Sequence, residues 1–124
     1  MTRLVAEALY YLVRTEWRMR RGGLSALHDM LKETESPNSL PSQLTPEQLC
    51  KAVDMACVLY FKSVLCLQRS VATAVLLRHH RFPAKLVIGA RILPFKSHAW
   101  VELRGQVIND KPYIPQLYRE LERC

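Results

Sequence analysis

Cys66, His98 and Asp110 stand in an order that few folds can exploit. Cys66 opens the helical run Cys66-Leu67-Gln68-Arg69-Ser70-Val71-Ala72-Thr73-Ala74-Val75-Leu76-Leu77. His98 sits in Ser97-His98-Ala99-Trp100-Val101-Glu102, and Asn109-Asp110 follows. A thiol near a helix start, an imidazole on a strand and a carboxylate on the next strand are the parts needed to make and break acyl bonds. A fold that joins them must set a helix N-terminus against a small antiparallel sheet, which points to the α+β class.

The rest of the chain supplies the layers. From residue 4 to residue 20, apolar side chains at 4, 5, 8, 9, 12, 13 and 17 keep helical spacing, with Arg3, Glu7, Arg14, Arg18 and Arg21 largely elsewhere on the wheel. Gly22-Gly23 is expected to end that helix. Residues 24–33 then read as a shorter one, with Leu24, Leu27, His28 and Leu31 on one face. The Pro- and Ser-rich stretch 34–44 reads as a loop, so the chain divides into an N-terminal helical part, 1–44, and a core, 45–124, within a single domain, 1–124. Thr45-Pro46-Glu47-Gln48 has the hydroxyl, the proline and the glutamine of a capping box. Helical propensity continues from there to His80, too far for one helix in so short a chain. A break is therefore expected around Phe61-Lys62-Ser63, with Ser63 capping a second helix and Cys66 in its first turn. Residues 85–91 are strand-like and Pro94-Phe95-Lys96 reads as a turn. Residues 97–103 and 106–110 form a candidate hairpin around Arg104-Gly105, and a short helical turn is expected at 116–123.

The hairpin register decides whether the carboxylate can reach the imidazole. A two-residue loop at Arg104-Gly105 would set Asp110 opposite Ala99, on the face away from His98, because side chains alternate along a strand. A three-residue loop, Leu103-Arg104-Gly105, with Gly105 left-handed in a bulge, would set Asp110 directly opposite His98. The bulged loop is the expectation that keeps the three residues together. Their roles would then be distinct. Unpaired amides and the dipole at a helix N-terminus favour the Cys66 thiolate and can donate to an oxyanion. His98 would pair with the thiolate and protonate a leaving amine, and Asp110 would hold the imidazole tautomer.

Composition narrows the class without choosing it. With 49% hydrophobic residues, the chain can bury a core without staples. A net charge of +7 favours acidic peptides, acidic proteins, nucleic acid or anionic membrane surfaces. No nucleic-acid-binding motif or aromatic-basic repeat is present, so nucleic acid is the weakest of these. No apolar run reaches membrane-spanning length, and residues 1–13 lack a signal-peptide cleavage site. The four cysteines, at 50, 57, 66 and 124, form no C-x-x-C pair and no zinc-type spacing. Free thiols, no metal, no cofactor and a cytoplasmic location are expected.

Taken singly, most of these side chains have structural readings. Cys50 and Cys57, seven apart on one helical face, read as small core residues, and Cys124 as inert. His79-His80, flanked by Arg78 and Arg81, complement a helix C-terminus, and His28 reads as structural. Tyr10, Tyr11 and Trp17 on the first helix are assigned to core packing with part of the face exposed. Cys66 alone would also read as core; the ordered combination with His98 and Asp110 reverses that.

The cysteine run, the following Leu86-Val87-Ile88-Gly89-Ala90-Arg91, then Pro94-Phe95-Lys96-Ser97-His98-Ala99-Trp100-Val101-Glu102 and Val107-Ile108-Asn109-Asp110 together resemble the lasso peptide leader peptidases, cysteine proteases of the transglutaminase-like superfamily. The resemblance covers roughly residues 45–115 and implies a papain/transglutaminase-like core. It implies that Cys66, His98 and Asp110 form a Cys-His-Asp triad that removes the leader from a ribosomally made precursor peptide. A separate asparagine synthetase-like lasso cyclase would receive the core peptide. Stand-alone members depend on a small leader-binding recognition protein, so such a partner is expected here, and recognition by that partner would raise the effective concentration of the scissile bond. The triad residues do not say whether water or an amine resolves the acyl-enzyme, and a non-catalytic peptide-binding protein is a third reading.

Overall fold

The structure is a computed structural model and describes residues 2–33, 44–92 and 95–124. Helix α1, Thr2–Glu33, contains both expected N-terminal helices, joined at Gly23, whose φ of 62° and ψ of −148° belong to a region that suits glycine alone. The bend falls at Gly23, and Gly22 remains within the helical run. Leu4, Ala8, Tyr11 and Leu12 before the bend, and Leu27, Met30 and Leu31 after it, are buried. Leu24's side chain, residues 34–43 of the expected loop 34–44 and Pro94 of the expected turn lie outside the described residues.

Helix α2, Pro46–Leu59, opens with the expected capping box: the Gln48 amide donates to Thr45 Oγ1 at 3.2 Å and the Thr45 amide donates to Gln48 Oε1 at 2.9 Å. It stops at Tyr60, and helix α3, Cys66–His79, follows the intervening segment. The break thus falls where helix length required it. Its cap differs from the expectation, because Leu65 rather than Ser63 is the N-cap and offers no side-chain hydrogen bond. Helix α3 is enclosed on nearly all sides from Gln68 to Arg78, since α1 and α2 pack on it and the sheet covers the remainder.

The sheet has four antiparallel strands in the order β3-β2-β1-β4. They are β1 (Ala84–Ile92), β2 (Phe95–Leu103), β3 (Gln106–Val107) and β4 (Arg119–Arg123), with the short helix α4 (Ile114–Leu117) before β4. Two expectations are corrected. Phe95 and Lys96 open β2 rather than forming a turn, and the tail from 119 is a strand rather than a helical turn. The second edge of β1 explains the latter: its amides and carbonyls need partners, and Leu86 exchanges two backbone hydrogen bonds with Cys124, at 2.7 and 2.8 Å.

Alternation along β1 and β2 gives the sheet two distinct faces. Leu86, Ala99 and Val101 join the α1, α2 and α3 side chains in one buried cluster, whereas Val87 and Trp100 pack with Ile114 and Tyr118 in a smaller one. Gly89 makes the second cluster possible. A Cβ at that position would stand 2.7 Å from Cη2 of Trp100 and 3.0 Å from Cβ of Tyr118. The fold is therefore α+β, with a helical layer on one face of a small antiparallel sheet.

Candidate active site

The first turn of α3 is unlike any ordinary buried cysteine site. Cys66 is the first helical residue and is exposed, behind an N-cap that lacks a side-chain acceptor and with no acid in the first turn. The first amides of a helix have no partner within it, so they and the helix dipole face whatever approaches Cys66. The other thiols sit differently. Burial pushes Cys50 up to about 11, and burial likewise raises Cys57 and Cys124. The assignment of Cys50 to the core agrees with its 8% exposure.

The structure brings His98 and Asp110 together, with Nε2 of His98 2.6 Å from Oδ2 of Asp110. It does so by a route other than the expected bulged loop. The ladder pairs Leu103 with Gln106 and Glu102 with Val107, which is the two-residue register. Arg104 and Gly105 both take positive φ, 53° and 82°, as a tight primed turn requires. That register would have turned Asp110 away from His98 had the ladder continued. It does not: β3 ends at Val107, and although the Ile108 amide still donates to the Val101 carbonyl, the Val101 amide donates to the side-chain Oδ1 of Asn109 at 2.8 Å. Leaving the ladder at Asn109 frees Asp110 from strand alternation, so its carboxylate can turn to His98. Burial on its own would raise the Asp110 carboxyl. The hydrogen bonds with His98 and the Lys111 amide, with the charges of His98 and Arg69, outweigh burial and hold it below the ordinary carboxylate value.

Cys66 makes no side-chain hydrogen bond to either residue; its placement follows from α3. Arg78, near the helix C-terminus, donates to the Ala84 carbonyl at 2.9 Å, and Ala84 pairs with Leu103, so the far end of α3 lies by that end of β2. Nearer the start of the helix, Ser70 Oγ donates to the Ala99 carbonyl at 2.9 Å. Cys66 is one turn before Ser70 on the same helical face, which sets it toward the His98 end of β2. The same turn of α3 holds the Asn109 segment: Asn109 Nδ2 donates to Ser70 Oγ at 3.1 Å, and an Arg69 guanidinium nitrogen donates to the Asn109 carbonyl at 2.9 Å. Asp54 of α2 pairs with Arg69 at 2.9 Å.

The His98 ring is also stacked from the second sheet face. Tyr118 lies 5.3 Å away, centroid to centroid, at an interplanar angle of 24°, and Trp100 lies at 6.3 Å. Trp100 Nε1 donates to Glu102 Oε2 at 2.9 Å, and Arg123 of β4 pairs with Glu102 at 3.0 Å. Sequence reasoning missed Ser70, Asn109, Arg69 and Tyr118. Ser70 was within reach, being four residues after Cys66, and Asn109 adjoins the carboxylate; Tyr118 had no local signal because it lies between α4 and β4, distant in sequence from His98.

The remaining histidines have structural partners. His79 and His80 turn to Glu7 of α1 at 3.8 and 3.4 Å, and His28 Nε2 lies 3.0 Å from Glu122 without hydrogen-bond geometry. Among the described residues no cluster of histidine, cysteine and carboxylate groups could hold a metal ion, and no helix is long and apolar enough to cross a membrane.

A thiol at an uncapped helix start and a histidine–carboxylate pair on the sheet are thus held by the same core, and the comparisons with known proteins place that core in a family. The chain belongs to the transglutaminase-like superfamily, whose family model matches residues 9–123 and so spans Cys66, His98 and Asp110. Among curated proteins it is similar to the microcin J25-processing protein McjB of Escherichia coli, with 31% identity over 112 residues, 88% of this chain and 50% of that protein. The chain thus spans about half the length of that relative. No solved structure is significantly similar to it.

Proposed function

We propose that this protein is a cysteine endopeptidase of lasso peptide maturation that cleaves the leader from a precursor peptide. The observation that carries the reading is the 2.6 Å pair of His98 and Asp110, on a sheet to which the helix that opens with Cys66 is tied through Ser70. Similarity to a protein named for processing microcin J25 supports the substrate class.

In this mechanism Asp110 accepts from Nε2–H of His98, leaving Nδ1 to exchange a proton with the Cys66 thiol. The thiolate attacks the carbonyl carbon of the scissile peptide bond, and α3 amides stabilise the resulting oxyanion. When the C–N bond breaks, the imidazolium gives its proton to the leaving amine of the core peptide, and the leader remains as a thioester on Cys66. His98 then takes a proton from water, whose oxygen attacks the thioester, and returns a proton to the departing sulfur. The core amine passes to a separate asparagine synthetase-like cyclase, and a small leader-binding protein presents the precursor in the cytoplasm. The buried cluster running from Leu4 to Val101 supports treating 1–44 and 45–124 as parts of one domain.

The test is to incubate the purified protein with a candidate precursor and its leader-binding protein, beside a Cys66→Ala control, and to record intact masses. Separate leader and core masses that sum to precursor plus one water, absent in the control, are expected. An amine adduct of the leader, in place of the free acid, would instead support acyl transfer by the same residues. An unchanged precursor that the partner binds would contradict the proposal.

A further inference from the structure

We propose that Ser70 and Asn109, steadied by Arg69, are positioning residues that set the distance between the Cys66 thiol and the His98–Asp110 pair; the proposal rests on the peptidase reading. The problem they solve is geometric. Cys66 belongs to a helix, His98 to a strand and Asp110 to a segment that has left the sheet. No hydrogen bond joins the thiol to the other two groups, so their mutual placement depends on what ties α3 to β2 and to residues 109–110.

Ser70 is tied to both. Its hydroxyl donates to the carbonyl of Ala99, the residue after His98, and accepts from the side chain of Asn109, the residue before Asp110. All three contact residues are buried: Ser70 is 1% exposed, Ala99 4% and Asn109 7%. A buried hydroxyl that uses its one proton on one partner and a lone pair on the other has little freedom to shift. Asn109 contributes a second device. By giving Oδ1 to the Val101 amide in place of a ladder carbonyl, it ends β3 without leaving that amide unpaired, and so releases Asp110 toward His98. Arg69 closes the arrangement from outside, with one guanidinium nitrogen on the Asn109 carbonyl and the group paired to Asp54. The links from Ser70 and Arg69 to Ala99 and Asn109 each reach a neighbour of His98 or Asp110 and originate about one turn after Cys66.

The consequence is that these residues act on the alignment of thiol and imidazole rather than on peptide binding. Ser70→Ala removes both hydroxyl links, and Asn109→Asp keeps an acceptor for the Val101 amide but loses the donor to Ser70. Arg69→Gln, at a partly exposed position, removes the outer link and serves if the buried variants do not fold. Leu27→Ala, a buried site that takes part in none of these links, is the control for lost stability alone.

Two readouts are taken on variants verified as folded at the assay temperature. In leader cleavage, Ser70→Ala and Asn109→Asp are expected to lower kcat by about ten- to a hundredfold with KM changed by less than about twofold, as a small misplacement of reacting groups would. In iodoacetamide alkylation mapped to Cys66, the rate-against-pH curve of both variants, and less so of Arg69→Gln, is expected to shift toward that of His98→Ala. Leu27→Ala should lower the unfolding temperature and keep the wild-type curve. If His98→Ala moves the curve while Ser70→Ala and Asn109→Asp leave both it and kcat at wild-type values, the positioning role is overturned and the peptidase reading stands. Loss of kcat with an unmoved curve, matched by Leu27→Ala, also overturns it as a stability effect. A curve insensitive to His98→Ala would remove the thiol–imidazole pair itself, and both readings with it.

Discussion

Helices α2 and α3 are each 14 residues long and begin in opposite ways. At α2 the capping box occupies the first amides, proline fills the first turn and Glu47 meets the dipole. At α3 the cap is leucine, no acid stands in the first turn and the first helical side chain is a thiol. One end is closed for stability, while the other is left open with its positive potential unspent. Capping is worth about 1 kcal/mol, so an open start on the most enclosed of the described helices is the feature that the proposed chemistry would use.

Substitutions at the proposed site and at both helix starts put that contrast to the test. Cys66→Ala should abolish cleavage, by about a thousandfold or more, with unfolding unchanged, whereas Cys50→Ala and Cys57→Ala should retain most activity; equal loss in all three would point to folding rather than chemistry. His98→Ala should come next, with Asp110→Asn costing less because the carboxylate orients the ring and takes no proton, and the reverse order in kcat would count against that role. Asp110 also carries a pH signature. Its carboxyl is held below the ordinary value in the folded state, so its contribution to stability is complete above the unfolded value of about 4 and is lost as pH falls through the folded one. A plot of unfolding temperature against pH should accordingly lose part of its acid slope in Asp110→Asn.

Smaller effects test the two helix ends directly. Leu65 is 62% exposed, so Leu65→Asp disturbs little packing while closing the α3 start with an acceptor and a negative charge. It should hold or raise the unfolding temperature and lower the cleavage rate by about tenfold, since the thiolate and oxyanion lose donors and dipole; a faster enzyme would contradict the open-end argument. Thr45→Ala should do the opposite, lowering stability by about 1 kcal/mol in a denaturant titration with activity per folded molecule intact.

The same comparison shows what the chain's sequence made legible. The α2 start could be read because a capping box is local chemistry within four residues. The break before Cys66 followed from helix length, but Ser63 looked like the cap because hydroxyls usually fill that place, and Leu65 fills it here. Placing His98 beside Asp110 was right for a reason that proved wrong: a left-handed Arg104 is an unfavourable choice for a two-residue turn, and nothing local announced that Asn109 would end the ladder. Strand β4, and Tyr118 just before it, were hidden because they are decided by the free edge of β1, about thirty residues earlier. Local signals named the three groups of the proposed triad; the contacts proposed to align them are long-range.

Whether the thiol at the open helix end is the nucleophile is decided by acid-quenching the enzyme during turnover of a precursor and measuring its intact mass. The account predicts a transient species heavier than the free enzyme by the leader minus one water, mapping to Cys66 and missing from Cys66→Ala. Continued cleavage by Cys66→Ala, or an adduct that maps to another residue, would contradict it.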